Sequence, residues 1–478
     1  MRIRRQAVPA AGKPAEPRRS RALSRRNVLA FAPSLLVASG AARAWAATGA
    51  VSHWRLRMPH TAFGPLDLLV EMRRTGDESF TVVSSSGAID LVRRLPGAAA
   101  PPTDIADGLW AFAFTREGGG WRGVSLASRK GDEARITRLD PEAIEGEIAK
   151  GWFRGSFSAA PALGRAARLR DYPAAAAGLR EVVAARLFDP HLARGPEFGR
   201  FLSRLDAVAA RARDDLDLCL AARWAWDGRP AASHFELRRS DVSAADLAAR
   251  FETMNAGGRG AELRFEDDVA ILRVSTMMGG DTLQQIEAAW RTVAERRPQA
   301  LIIDLRGNPG GAFAIKPLTA PLLTAPLDAG VFASRLWRRD HSEAPGRAAM
   351  MAAPAIEGTS LIAFWRTVQA QPLTRVRIDP EPIGFEGRVD VLVDGRTASA
   401  AEMAADALRR TGRVRLVGEP TAGQMLSGAY FDLPEGFQVY LPVADYFAGG
   451  DRRLEGAGVI PDVRAASGDA LEVAKGAA

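Results

Sequence analysis

Cysteine is almost absent from this 478-residue sequence, which contains only Cys219. A single thiol cannot form a disulfide within the chain, and it cannot build a metal site from several cysteines. The residues around Cys219 are apolar and recur at helical spacing, so we expect its side chain to fill a small space in a helical core. Disulfides and multi-cysteine metal sites are therefore excluded as a basis for this fold.

A concentrated basic surface is also missing from most of the chain, although the formal net charge is +8. Residues 1–46 contain ten Arg or Lys and one Glu, and without them the totals of 64 basic and 56 acidic side chains become 54 and 55. Counterion release on nucleic acid requires clustered Lys and Arg, and no later segment supplies such a cluster. Nucleic acid is therefore not an expected partner.

The apolar run near the N-terminus is too short to be a membrane anchor. Residues 28–42 are moderately apolar and follow Arg25 and Arg26, in the order typical of a twin-arginine export signal. About fifteen residues fall short of the roughly twenty that a spanning helix needs, which argues against an uncleaved anchor. We predict that residues 1–46 are a signal peptide cleaved after Ala46, leaving a periplasmic or secreted protein without a membrane span.

Length and patterning divide the remaining chain into three parts. Residues 48–161 contain short β-type runs broken by glycine, which predicts a small β-rich domain. Residues 162–243 are rich in Ala, Arg and Leu with apolar positions at helical spacing, which predicts a helical subdomain. Residues 244–470 alternate strand and helix patterns from Asp268 onward, which predicts an α/β core with a sheet covered by helices.

The first motif suited to chemistry lies in this α/β part. An apolar strand at residues 301–305 leads into the turn Arg-Gly-Asn-Pro-Gly-Gly at residues 306–311. Open α/β sheets bind ligands at the carboxyl ends of their strands, and the paired Gly310 and Gly311 could present backbone N–H groups to an oxyanion. The alternative is an ordinary turn that needs glycine only for its backbone angles.

The second motif places Ser399 at the start of a predicted helix after the strand at residues 391–393. Ser399 and Glu402 have the Ser-x-x-Glu spacing of a capping box, so one interpretation is a helix cap. The other interpretation is a nucleophile, with the backbone N–H of Ala400 and the helix dipole stabilising a developing oxyanion. The residues of this segment alone leave both interpretations open.

Two further loops complete a set of four ordered motifs. They read Val-Gly-Glu-Pro-Thr-Ala-Gly at residues 417–423 and Glu-Gly-Ala-Gly-Val-Ile-Pro-Asp at residues 455–462. Together with Asp-Leu-Arg-Gly-Asn-Pro-Gly-Gly and Thr-Ala-Ser-Ala-Ala-Glu, they resemble the tail-specific (C-terminal processing) and tricorn-type serine peptidase family. The resemblance covers about residues 268–465, and it implies a crotonase- or ClpP-like α/β core in which Ser399 is the nucleophile.

The sequence departs from the C-terminal processing branch at the general base. That branch has a lysine at the position where this sequence has Gln424. A neutral amide cannot accept the serine proton, so Ser-Lys catalysis is not expected.

The tricorn branch uses a histidine and a serine at the end of the helical subdomain, with a glutamate late in the core. Ser233, His234 and Glu455 stand at those places. The resemblance implies that Ser399 attacks the carbonyl, that His234 takes and returns the proton, and that Ser233 and Glu455 orient and polarise this machinery. The alternatives are a surface histidine and a solvated loop carboxylate.

The oxyanion of this mechanism would lie between the backbone N–H of Ala400 and that of Gly310 or Gly311. Because nucleophile, base and oxyanion donors all come from the protein, we expect no metal and no organic cofactor, and a peptide or protein as substrate. The segment between His234 and Asp268 is too short for the peptide-binding PDZ module that many family members carry there.

The resemblance also extends to interphotoreceptor retinoid-binding protein, whose similar modules hold apolar ligands without proteolysis. In that alternative Ser399 is only a helix cap, and the chain is a catalytically inactive binder of an apolar small molecule or a protein. The distance between His234 and Ser399 separates the two hypotheses, because a binding module has no reason to bring them within hydrogen-bonding reach.

Overall fold

The computed structural model describes residues 49–61, 63–84, 111–126, 133–150, 153–162, 168–224, 232–312, 314–356 and 358–476. The predicted signal peptide at residues 1–46 lies outside these residues. Within the described part of the chain, no helix is both long enough and apolar enough to cross a membrane.

The first part of the chain forms a closed barrel of eight antiparallel strands. Each strand pairs with the next one along the chain, and β8 closes the barrel against β1. The strands are β1 (Val51–Met58), β2 (Leu66–Gly76), β3 (Ser79–Ser84), β4 (Ala111–Glu117), β5 (Gly120–Ser125), β6 (Glu133–Leu139), β7 (Ile144–Lys150) and β8 (Phe153–Pro161). The β-rich content predicted for this region is confirmed, and its strands form a single closed sheet.

Alternating side chains explain why these strands close into a barrel. Phe80 and Val82 of β3 and Phe112 and Phe114 of β4 are buried, whereas the residues between them are partly exposed. This period of two points one set of side chains into the barrel. The rings of Phe80 and Phe114 stack with centroids 5.1 Å apart, so the interior is a packed apolar core.

Within residues 168–224, four helices follow the barrel: α1 (Tyr172–Arg186), α2 (Pro190–Arg194), α3 (Pro196–Ala209) and α4 (Asp215–Trp224). Asp171 and Asp189 cap α1 and α2, and Asp189 accepts the N–H groups of His191 and Leu192 at 2.8 and 3.1 Å. Cys219 is a free, buried thiol in α4, as its apolar surroundings predict.

Buried carboxylates join the barrel, the helices and the core. Arg170 contacts both Asp67 of β2 and Asp215 of α4, and Arg239 lies 3.3 Å from Asp215. Burial opposes ionisation of Asp67, but Arg55 and the other neighbouring arginines hold its pKa below the ordinary value. Removing one partner of such a buried pair is strongly destabilising, so these contacts hold the barrel, the helices and the α/β core together.

The last part of the chain contains two sheets of six strands. In the first, neighbouring strands follow the order β10-β11-β12-β15-β16-β20, and every pairing except β10 with β11 is parallel. Its strands are β10 (Ala261–Glu266), β11 (Val269–Val274), β12 (Ala300–Asp304), β15 (Arg388–Val393), β16 (Val414–Gly418) and β20 (Val463–Arg464). This sheet has the strand and helix alternation that the sequence predicts.

The second sheet is antiparallel and has the order β14-β13-β18-β17, with β9 and β19 also paired to β18. Its strands are β9 (Glu236–Arg239), β13 (Leu327–Ser334), β14 (Leu373–Ile378), β17 (Ser427–Leu433), β18 (Phe437–Ala448) and β19 (Arg452–Arg453). The sequence patterning did not predict it as a separate sheet, because its strands are dispersed along the chain.

Eight helices accompany these sheets: α5 (Ala244–Glu252), α6 (Gly280–Arg296), α7 (Ile315–Thr319), α8 (Arg335–Arg338), α9 (Gly346–Ala352), α10 (Leu361–Ala370), α11 (Ala400–Arg410) and α12 (Ala470–Gly476). Short 3-10 turns occupy Ala320–Leu322 and Pro434–Gly436. Helix α6 buries Ile286, Trp290 and Val293 in the same apolar core as the strand residues Leu301 and Ile303. The predicted mixed α/β content is confirmed.

Strand β9 lies inside the segment 162–243, which the sequence pattern assigns to the helical subdomain. It pairs with β18, and Glu236 stands opposite Tyr440 in this register. A strand of four residues has no decisive pattern of its own, and its pairing partner lies far along the chain. The consequence is that β9 holds the residues just before it, including His234, against the α/β core.

The topology brings the two predicted motifs to one edge of the first sheet. Strands β12 and β15 are parallel neighbours, and Asp304 at the end of β12 stands opposite Leu392 near the end of β15. The glycine-rich turn follows β12, and the turn leading to Ser399 follows β15. Both turns therefore meet at the carboxyl edge, where such sheets place their ligand sites.

Candidate active site

Ser399 occupies the tight turn between β15 and α11, with a backbone φ of 55°. Positive φ is uncommon for a residue with a side chain and costs about 1–3 kcal/mol, so neighbouring structure must enforce it. The Thr397 hydroxyl donates to the carbonyl oxygen of Leu305 at 2.9 Å. The Ala398 N–H donates to the carbonyl oxygen of Asn308 at 2.9 Å. These hydrogen bonds connect the turn that carries Ser399 to the glycine-rich turn after β12.

Buried Asp394 supports the same junction. Its Oδ1 accepts the backbone N–H groups of Gly307 at 2.9 Å and Arg396 at 3.0 Å, and its Oδ2 accepts the Ser467 hydroxyl at 3.1 Å. Burial alone would raise the pKa of Asp394, but these hydrogen bonds hold it below the ordinary value. The carboxylate therefore remains ionised and keeps the two turns together.

His234 approaches Ser399 from the segment before β9. Its Nε2 lies 3.3 Å from Ser399 Oγ, and its own backbone φ is 60°. A separation of 3.3 Å is long for a hydrogen bond, and catalytic pairs often have such lengths before substrate binds. The structure thus brings together the serine and the histidine that the sequence proposes as nucleophile and base.

Ser233 and Glu455 fix the orientation of the imidazole. Glu455 accepts the Ser233 hydroxyl at 2.9 Å, the Ser233 N–H at 3.0 Å and the Met425 N–H at 2.7 Å. Ser233 Oγ lies 2.7 Å from His234 Nδ1. Because the single hydroxyl proton of Ser233 goes to Glu455, Ser233 Oγ must accept the Nδ1–H proton. The free lone pair of the imidazole is then on Nε2, facing Ser399.

The charge state of His234 suits a proton acceptor. Burial lowers the pKa of His234, and the negative charge of Glu455 partly opposes this effect. The imidazole therefore stays neutral at pH values somewhat below its ordinary pKa of about 6.5. Only the neutral form can take a proton from a serine hydroxyl.

Gly310 and Gly311 occupy different positions relative to Ser399. A Cβ on Gly310 would lie 2.7 Å from the Cβ of Ser399, and the Gly310 N–H already donates to Asn308 Oδ1 at 2.9 Å. In contrast, no group within the described ranges accepts the N–H of Gly311 or of Ala400. Gly310 thus lets the two turns touch, whereas Gly311 and Ala400 each keep a backbone N–H without an acceptor in the described ranges.

Glu402 has contacts beyond the capping box that its spacing predicts. Its carboxylate accepts the Ser399 N–H at 3.0 Å, which is the reciprocal bond of that motif. It also accepts the Thr421 hydroxyl at 2.6 Å and the N–H groups of Gly423 and Gln424 at 2.8 and 2.9 Å. Sequence reasoning missed this second role, because local spacing cannot show a contact with a later loop.

Residues 421–425, which we name the connecting loop, join the two sides of the site. Glu402, beside Ser399, accepts the N–H of Gln424, and Glu455, beside Ser233 and His234, accepts the N–H of Met425. The side chain of Gln424 is exposed. The sequence shows this loop only as part of the motif at residues 417–423. The two carboxylate contacts show that the loop links Glu402 to Glu455.

Metal ligands are not assembled in this region. Across the residues that the structure describes, no three His, Cys, Asp or Glu side chains are grouped so that they could hold a metal ion.

Known proteins resemble the second half of this chain. Residues 268–465 match the sequence profile of peptidase family S41. A carboxyl-terminal-processing protease from Synechocystis sp. is 26% identical over 54% of this chain and 50% of its own length. Another from Picosynechococcus sp. is 30% identical over 34% of this chain and 30% of its own length. This chain therefore spans half or less of these relatives.

The solved structure of the tricorn protease aligns with 88% of this chain and 57% of that chain, at 10% identity and a TM-score of 0.38.

The sequence of the matched region is that of a serine-type peptidase. Residues 268–465 have the sequence pattern of peptidase family S41, and the resemblance drawn from the four motifs is confirmed for these residues.

The histidine geometry predicts a specific titration behaviour. His234 should titrate below its ordinary pKa of about 6.5, and Glu455→Gln should lower the pKa further because it removes the charge that favours the imidazolium. NMR of ¹⁵N-labelled imidazoles measures both values, with the exposed His191 as the internal control. An upward shift of His234 in the Glu455 variant would contradict the described arrangement.

Proposed function

We propose that this chain is a serine peptidase that hydrolyses peptide bonds through an acyl-enzyme on Ser399. The observation that carries this proposal is the 3.3 Å separation between His234 Nε2 and Ser399 Oγ. A ligand-binding protein in which Ser399 only caps a helix has no need of that contact. The Glu402 N–H also has the Ser399 carbonyl oxygen at 2.9 Å, so capping does not depend on the hydroxyl.

The first half of the reaction would form an ester. His234 Nε2 takes the proton of Ser399 Oγ while Oγ bonds to the scissile carbonyl carbon, and the carbonyl oxygen becomes an oxyanion. The N–H groups of Ala400 and Gly311 are the donors best placed to stabilise that charge. The C–N bond then breaks, and the imidazolium of His234 gives its proton to the leaving amine.

The second half would release the acyl group. A water gives a proton to His234 Nε2 as its oxygen attacks the ester carbon, and the imidazolium then returns a proton to Ser399 Oγ. Throughout both halves Ser233 accepts the Nδ1–H, and Glu455 stabilises the positive charge that the imidazole acquires. The net change is one peptide bond and one water converted to a carboxylic acid and an amine, between which a proton then passes to give carboxylate and ammonium.

The base assignment makes the proposed mechanism tricorn-like and not Ser-Lys. Gln424 occupies the place of the lysine, and its amide cannot accept a proton. We also propose that the core is crotonase- or ClpP-like, and that Ser233 and Glu455 orient and polarise His234.

Fluorophosphonate labelling tests the nucleophile directly. Intact-mass analysis of the mature wild type should show one adduct, and Ser399→Ala should show none because the reacting oxygen is gone. Ser203→Ala, which changes an exposed serine on α3, should label like wild type. The proposal fails if wild type gains no adduct under conditions that label a control serine hydrolase, or if Ser399→Ala still gains one.

We also infer export of the folded protein through the twin-arginine route, on the basis of the signal pattern in residues 1–46. Arg25→Lys combined with Arg26→Lys should leave the precursor in the cytoplasm, whereas wild type should reach the periplasm with Ala47 as its first residue. Cell fractionation with mass analysis of the N-terminus distinguishes these outcomes. Equal periplasmic amounts of both proteins would contradict this route.

A further inference from the structure

Two tyrosines of the second sheet lie beside the proposed base. Tyr430 of β17 and Tyr440 of β18 are cross-strand partners, and their ring centroids are 4.7 Å apart. The ring of Tyr440 lies 5.9 Å from the imidazole of His234, at an angle of 47°. An aromatic surface therefore begins at the catalytic histidine and extends away from it across the sheet.

These tyrosines differ in burial from their neighbours along the strand. Val439 and Leu441, on the opposite face of β18, are fully buried in the core shared with the barrel and helices. Tyr430 and Tyr440 remain partly exposed. Gly428 makes room for the second ring, because a Cβ there would lie 2.4 Å from Tyr440.

A third aromatic side chain continues this surface. Phe251 of α5 stacks on Tyr430 with centroids 5.9 Å apart and an interplanar angle of 16°. Helix α5 has no buried residue, so Phe251 also keeps part of its surface open. We name Tyr440, Tyr430 and Phe251 the aromatic wall.

The chemistry of the histidine indicates which part of a substrate would meet this wall. After taking the Ser399 proton, His234 must give it to the nitrogen of the departing amine. The imidazole therefore faces the leaving-group side of the scissile bond, and the ring packed against it borders the same side.

We infer that the aromatic wall is a specificity subsite for a large apolar side chain on the residue directly after the scissile bond. This inference rests on the proposed peptidase function. Partly exposed aromatic rings bind such a side chain by burying its surface and by ring contacts. Peptides with Phe, Tyr, Leu or Met after the cleaved bond are thus the preferred substrates.

Of the charged groups around the wall, Arg238 argues against a basic side chain as its occupant, whereas Glu236 is the group that would favour one. Glu236 stands opposite Tyr440 in the β9 register, and its carboxylate has no hydrogen bond or ion pair to a residue in the described ranges. Burial raises the pKa of Glu236, while Arg238 and Arg223 partly oppose this effect. The guanidinium of Arg238 lies 5.8 Å from the Tyr430 ring, where it would repel a second cation.

A peptide library read by mass spectrometry tests the inference. Wild type should enrich large apolar residues after the cleaved bond by roughly tenfold over Ala or Lys. Tyr430→Ala should lose this enrichment, because it removes the centre of the wall without touching His234. Val124→Ala, at an exposed position on the barrel, is the matched control and should keep the wild-type preference.

Fluorophosphonate labelling of every variant separates this inference from the proposed function. If wild type is not labelled, the peptidase proposal itself fails. If Tyr430→Ala labels at the wild-type rate and loses the apolar preference, the subsite is supported. An unchanged preference in that variant overturns the inference, as does labelling without cleavage of any peptide. A wild-type preference for Lys or Arg that Glu236→Gln abolishes also overturns it.

Discussion

The site depends on one contact, between His234 Nε2 and Ser399 Oγ, which joins residues 165 positions apart. Each partner is placed by a different sheet. Ser399 ends the turn after β15 of the parallel sheet, whereas His234 is carried by β9, which joins the antiparallel sheet through β18. Glu402 and Glu455 accept consecutive N–H groups of the connecting loop, so the turn that carries Ser399 and the segment that carries His234 are positioned together.

Both members of that contact have a backbone conformation that costs free energy. Ser399 and His234 have positive φ, at about 1–3 kcal/mol each, and this conformation persists only where the surroundings enforce it. Hydrogen bonds to charged groups contribute about 1.5–3 kcal/mol, and Asp394, Glu402 and Glu455 make several of them around the two turns. In each of these bonds a backbone N–H donates to a carboxylate, which favours the ionised form of the acid at neutral pH.

Local patterns predicted the elements of the chain better than their assembly. The β-rich first part, the helices and the alternation after Asp268 follow from periodicities of two and 3.6 residues, and the family follows from four short motifs. The pairing of β9 with β18 did not follow, because four residues carry no decisive period. The long-range contacts of Glu402 were also missed, since Ser-x-x-Glu spacing reports only on the first turn of a helix. The order of Ser233, His234 and Glu455 along the chain follows from the family resemblance. The choice of Gly311 over Gly310 as the proposed oxyanion donor depends on which N–H is already hydrogen-bonded, and the sequence does not contain that information.

We propose that His234 is the general base and that Gln424 takes no part in proton transfer. The most direct test compares kcat/KM for hydrolysis of casein by wild type, His234→Ala and Gln424→Ala. The described geometry predicts a loss on the order of 10²–10⁴-fold for His234→Ala and a change within about twofold for Gln424→Ala. A small effect of the histidine variant combined with a large effect of the glutamine variant would contradict the assignment of His234 as the general base.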